Sequence, residues 1–127
     1  MGYEVKYEIS ESESLIMEYL WEQKESKYFN EIMDYLNNEC NKDWKKQTVN
    51  TFIKRLTDKG LITFSYEGRN KRYVTAMSYE QFKQGQARTI LKEYYSDSIS
   101  TFISALTGGK KVDKKTVEEL KNLLEEE

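Results

Sequence analysis

The chain has 127 residues, a formal net charge of −2, a third of its residues charged, no proline and no histidine. Without histidine there is no imidazole base, no Ser-His or Cys-His nucleophile pair and little scope for zinc, so no catalytic residue, metal or cofactor is expected and the chain reads as a non-enzyme. With Cys40 as the sole cysteine there is no intrachain disulfide, and no apolar run approaches the roughly 20 residues of a membrane span or a signal-peptide core; a cytoplasmic protein with no membrane insertion is the expectation.

Ser10 followed by Glu13 is a capping box that opens a first helix, with Ile16, Met17, Leu20 and Trp21 on one face. A second helix is predicted from Lys27 to Asn37, carrying Phe29, Ile32, Met33 and Leu36 at helical spacing, and Asn38 to Asp43 is a polar loop. A third helix follows Trp44, buries Val49, Phe52, Ile53 and Leu56, and stops at Gly60, where a left-handed residue is favoured. β-Branched and aromatic residues from Leu61 to Tyr66 and from Arg69 to Thr75 flank Glu67-Gly68, which reads as a hairpin. Ser78 with Gln81 is a second capping box and starts a fourth helix toward Glu93, inside which Gly85 suggests a bend or a close contact. Helical spacing resumes through Ile99, Phe102, Ile103 and Leu106 and breaks at Gly108-Gly109. Asp113 can cap a last helix with Val117, Leu120 and Leu124, and the acids Glu125 to Glu127 at its negative end should fray it.

Charge is unevenly placed along these elements. Residues 1–41 hold three basic and ten acidic side chains, residues 42–75 nine basic and three acidic, and residues 76–127 eight and nine. The cations therefore concentrate on the third helix and the hairpin, the footprint of a surface that neutralises phosphates. Three short helices and then a hairpin is the order of a winged helix-turn-helix, whose third helix enters the major groove. The fold class expected is mainly α with a small β wing: a DNA-binding domain over 1–77 and a helical dimerisation domain over 78–127.

On the third helix, Gln47, Thr51, Lys54 and Asp58 lie opposite Val49, with Asn50 and Arg55 on the flanks. Amides and hydroxyls suit base edges, and cations suit the backbone. A solvated polar face would look the same on a lone helix. The adjoining Arg69-Asn70-Lys71-Arg72 on an otherwise acidic chain tips the reading to DNA. A winged helix used only as a protein-interaction module would usually lack that cationic wing. Tyr66 and Tyr73 are expected to pair across the hairpin and pack on the helices, and Trp21 and Trp44 to join the core. Glu18 and Glu22 lack further oxygen ligands and read as a solvated face.

After Ser78, large apolar residues are too many for fifty residues to enclose alone. Ile90, Leu91, Tyr94, Ile99, Phe102, Ile103, Leu106, Leu120 and Leu124 are the expected interface of a homodimer, which would set two recognition helices on a two-fold DNA site. Packing of a helical arm back on its own head is the alternative.

Ile9-Ser10-x-x-Glu13, Ile16-Met17, Leu20-Trp21 and Asp43-Trp44-x-x-x-Thr48-Val49-x-Thr51-x-Ile53-x-Arg55-Leu56-x-x-Lys59-Gly60-Leu61-Ile62 resemble the penicillinase-repressor family, also called the BlaI/MecI/CopY family. The resemblance is dense to Val74 and looser after Ser78. It implies a homodimeric bacterial repressor of a palindromic operator, controlling a β-lactam-resistance or related operon and relieved by cleavage through a membrane sensor-protease. By the same resemblance Gln47, Thr48, Asn50 and Thr51 match positions that meet DNA, and Arg55 a basic residue near the backbone. The family's scissile Asn-Phe bond corresponds to Thr101-Phe102.

Three departures stand out. Lys45-Lys46 replaces a common Ser-Pro pair, giving up the cap and adding charge at the positive helix end, which a phosphate near Lys46 would relieve. Ser14 stands where an early tryptophan is common. No cysteine follows Cys40, which argues against a copper sensor. A repressor of this fold answering a different inducer is the alternative reading.

Overall fold

The Ser10 hydroxyl accepts the Glu13 amide at 3.1 Å and the Glu13 carboxylate accepts the Ser10 amide at 2.8 Å, so the predicted capping box closes and starts α1 (Glu11–Glu22). The computed structural model describes residues 4–125, without the side chains of Leu124 and Glu125. The expected roles of Leu124 and of the acidic tail therefore lie outside the described residues. The elements that follow are β1 (Lys27–Tyr28), α2 (Phe29–Asp34), α3 (Lys46–Asp58), β2 (Ile62–Glu67), β3 (Asn70–Thr75), α4 (Tyr79–Tyr95), α5 (Ile99–Thr107) and α6 (Lys114–Glu125). They divide into two compact units between Gln86 and Ala87.

In the first unit, α1, α2 and α3 bring Ile16, Met17, Leu20, Ile32, Leu36, Val49, Ile53 and Leu56 into one core, closed by Leu61, Ile62, Tyr73 and Phe82. Gly60 ends α3 as predicted. Its φ of +80° lets the Leu61 amide reach the Leu56 carbonyl and the Gly60 amide that of Thr57, which satisfies two carbonyls at the helix end. β2 and β3 pair from Ile62↔Thr75 to Glu67↔Asn70, leaving Gly68 and Arg69 as the wing tip.

The second helix corrects the reading from periodicity. Lys27 and Tyr28 are not its first turn but a short strand pairing with Tyr73 and Arg72, so the wing is one side of a three-stranded antiparallel sheet ordered β1-β3-β2. Tyr28 then precedes α2, its amide donating to Glu31. Beyond Asp34 the chain continues as a π-helical turn over Tyr35–Glu39, which shortens the expected loop. Asn37 explains how that loop closes: its amide group donates to the Trp44 carbonyl (3.1 Å) and accepts the Trp44 amide (3.0 Å).

The extended segment before α1 is a further structural part that helix-seeking periodicity passes over. Val5, Tyr7 and Ile9 pack on the core while Glu4, Lys6 and Glu8 face solvent, and the Lys6 amide donates to the Lys59 carbonyl. The alternation is the strand period of two and was available in the sequence. Tyr7 also accounts for Gly85, because a Cβ there would meet the Tyr7 ring at 2.2 Å. The contact lies within the first unit, which runs to Gln86 and so includes two turns of α4 beyond position 77. Phe82, only 3% exposed, belongs to its core beside Tyr7 and Trp21. Trp21 donates its indole N–H to the Met77 carbonyl at 3.0 Å.

The second unit holds the end of α4 together with α5 and α6. Asp113 accepts the Thr116 amide ahead of α6, as the sequence predicts, and Ser98, which the spacing of the apolar residues did not mark, caps α5 by accepting the Thr101 amide. α4 reaches Tyr95 rather than Glu93. Among the described residues of this unit none is buried.

Candidate nucleic-acid interface

α3 buries one face through Val49, Ile53 and Leu56, which fixes what its other face can present. Lys46, Gln47, Thr48, Asn50, Thr51, Lys54 and Arg55 are all exposed. No side chain caps the helix: Lys45 stands at the N-cap position without a side-chain hydrogen bond, and the first turn carries no acid. The positive helix end thus combines uncapped amides with Lys45 and Lys46, an arrangement that favours an anion. Thr51 donates its hydroxyl to the Gln47 carbonyl (3.0 Å), and Lys54 lies 3.1 Å from Asp58 in an exposed pair that solvent weakens.

The wing comes close to this helix. Asn50 shares a cleft of about 650 Å³ with Arg69, Asn70 and Lys71 of the wing and Asn30 of α2. A second cleft, of about 430 Å³, lies between Lys54 of α3 and Lys71 and Phe64 of the wing. The sequence-predicted residues of the two elements therefore line common grooves. Asn30 and Phe64 join them there without having been singled out, since nothing local in the sequence marks which residues will face a groove.

Arg72 has a different setting from Arg69 and Lys71. Its guanidinium donates to Glu67 (2.7 Å) and to the Ser26 carbonyl (2.8 Å), and lies over the Tyr28 ring, 4.6 Å from its centre. Tyr28 in turn donates its hydroxyl to Glu67 at 2.6 Å. The Tyr28 hydroxyl and then Arg72 hold the Glu67 carboxyl below its ordinary range, while Glu67 pushes the Tyr28 phenol up. The group ties β1 to the wing tip, so the Arg72 charge braces the wing instead of standing free in solvent. Tyr73 packs inward and pairs with Phe64, as the aromatic pairing across the hairpin requires. Tyr66 does not follow that expectation: it faces Lys71 across the hairpin and remains 65% exposed.

Residues 9–126 match the model of the penicillinase repressor family. The methicillin resistance regulatory protein MecI of Staphylococcus aureus is 25% identical over 118 residues, covering 93% of this chain and 94% of MecI. The penicillinase repressor of Bacillus licheniformis is 23% identical over 119 residues, covering 94% and 91%. Among solved structures, the solution structure of the DNA binding domain of the repressor BlaI superposes with a TM-score of 0.53 at 26% identity, covering 61% of this chain and 90% of that one.

Proposed function

The chain belongs to the penicillinase repressor family, whose members are DNA-binding transcriptional repressors and not enzymes, and from that premise we propose that it binds a palindromic operator as a homodimer. The observation that carries the reading is the exposed polar face of α3 lining common clefts with the cationic wing. We assign base reading to Asn50 and Thr51, and phosphate contacts to Lys46, Lys54, Arg55, Arg69 and Lys71.

Footprinting on the chain's own upstream DNA, repeated across salt, tests this. Affinity should fall with salt at a slope of about −0.9 per phosphate neutralised. Lys54→Ala should weaken all sequences alike and flatten the slope by roughly one unit, whereas Asn50→Ala should relax preference for the protected site. Salt-independent affinity, or no duplex binding at low salt, would overturn the reading.

The homodimer rests on the second unit. Ile90, Tyr94, Ile99, Phe102 and Leu106 are exposed there, and Leu91, Ile103 and Leu120 half-buried. A second copy is the economical cover for so large an apolar set.

Release by cleavage at Thr101–Phe102 is the further step implied by the family resemblance. The bond lies in the first turn of α5, where the Thr101 amide is bonded to the Ser98 hydroxyl and the Phe102 amide to the Ser98 carbonyl. The Phe102 ring packs edge-on against Tyr95, 5.2 Å between centres. A membrane sensor-protease acting there would first have to open that turn. Exposing the native host to a β-lactam and following the chain by mass spectrometry should yield a fragment beginning at Phe102. Derepression with the chain intact would instead assign the repressor to another inducer.

A further inference from the structure

Lys71 is the one wing cation common to both clefts, and its ammonium is held in place by aromatic rings. Nζ sits 4.3 Å from the centre of the Phe64 ring and 6.0 Å from that of Tyr66, and the two rings meet edge-on at 5.7 Å. The pairing Phe64↔Tyr73 and Tyr66↔Lys71 puts all four on one face of the wing. Tyr73 is buried there, but Phe64 is 39% and Tyr66 65% exposed, so these two rings add little to the core. We propose that the larger cleft, lined by Asn50 of α3 and by the wing, seats one backbone phosphate of DNA, with Lys71 as its cation and Phe64, which lines the adjoining smaller cleft, and Tyr66 as the residues that position that cation. The proposal rests on the DNA-binding reading and goes beyond it by naming the subsite and what organises it.

The chemistry of the cleft favours a phosphodiester. Arg69 supplies a second cation, and Asn30, Asn50 and Asn70 supply neutral amide donors. The acid lining the larger cleft, Glu31, is already engaged, accepting the Tyr28 amide at 2.9 Å and lying 3.7 Å from Lys27, and Asp58 in the smaller one is paired with Lys54 at 3.1 Å. About 650 Å³ accommodates a phosphate with its flanking sugars. A free lysine loses considerable rotamer entropy on docking to a phosphate. Rings that already hold the ammonium reduce that loss, and Lys71, exposed and part of the cleft lining, remains accessible to an anion.

The test uses the full chain and a duplex spanning its footprint on its own upstream DNA, with single phosphates replaced by neutral methylphosphonates. At one position per half-site the neutral group should weaken the natural chain but leave Lys71→Ala unaffected. Phe64→Leu keeps an apolar side chain and should weaken binding about two- to five-fold, the range of an exposed cation–π contact. That loss should vanish in a Lys71→Ala background, and circular dichroism should show Phe64→Leu folded. Equal losses from Phe64→Leu with and without Lys71, or no methylphosphonate position whose effect depends on Lys71, would overturn the proposal while leaving DNA binding intact. Absence of duplex binding by the natural chain would overturn both.

Discussion

A chain ending at Gln86 should fold, run as a monomer and lose on the order of a hundred- to ten-thousand-fold in operator affinity, the range that linking two binding modules contributes. Everything buried in the first unit lies before that point, Phe82 included. What the truncation removes is an apolar set that its own unit leaves open: Ile99 is 64% and Leu106 73% exposed, and none of the described residues there is buried. A chain ending at Met77 should behave differently. It would strip Phe82 from Trp21 and Tyr7, a loss comparable to deleting a core aromatic at about 3–5 kcal/mol, and should melt early or fail to fold. Sedimentation and fluorescence anisotropy on the two truncations separate the cases. A full-length chain that is monomeric at micromolar concentration and binds no more tightly than the 86-residue one would remove the dimer.

What could be read from the chain and what could not divides by the distance over which the determining contacts act. Capping at Ser10, Ser78 and Asp113 involves partners three residues on, so those helix starts were legible. The Gly60 stop is equally local. β1 was not legible, because its two residues pair with positions more than forty residues away, and the helical period of Phe29, Ile32 and Leu36 extrapolates back over them. The same long-range pairing decides the fate of Arg72. As a sequence neighbour of Arg69 and Lys71 it reads as one more free cation, but Ser26, Tyr28 and Glu67 converge on it in the fold. On α3 the outward set followed from burial of Val49, Ile53 and Leu56, since a helix that hides one face must show the other. Which wing residues would meet that face depended on strand register, and Tyr66 and Lys71 could be matched only once the pairing was known.

Lys59→Ala should cost about 1–3 kcal/mol: it leaves the buried Glu13 carboxylate without its charged partner, but Lys59 itself is 23% exposed, so water can reach the vacated position and the loss stays below that of a fully buried pair. The Lys59 ammonium lies 2.9 Å from the Glu13 carboxylate, which is only 2% exposed, and also donates to the Glu8 carbonyl. The pair joins the start of α1 to the end of α3 and so fixes how α3 is held against the core. Burial pushes the Glu13 carboxyl up, but Lys59 and the Ser10 hydrogen bonds outweigh it and leave the group below its ordinary 4.5. A depressed carboxylate contributes stability that is fully present above its unfolded value and is lost as pH falls through the folded one. The natural chain should therefore lose stability on acidification below about pH 4.5 from this group. Lys59→Ala leaves burial opposed by Ser10 alone, so its carboxyl should protonate at higher pH, and protonation should relieve the uncompensated charge. Denaturant melts should accordingly show the gap between the two chains widest near neutrality and narrowing toward pH 3. Glu13→Gln with Lys59→Met, which removes both charges and keeps a partner for the Ser10 amide, should recover most of the loss. A gap that stays constant from neutral to acid pH would mean that Lys59 acts through the packing of its methylene chain and not through its charge.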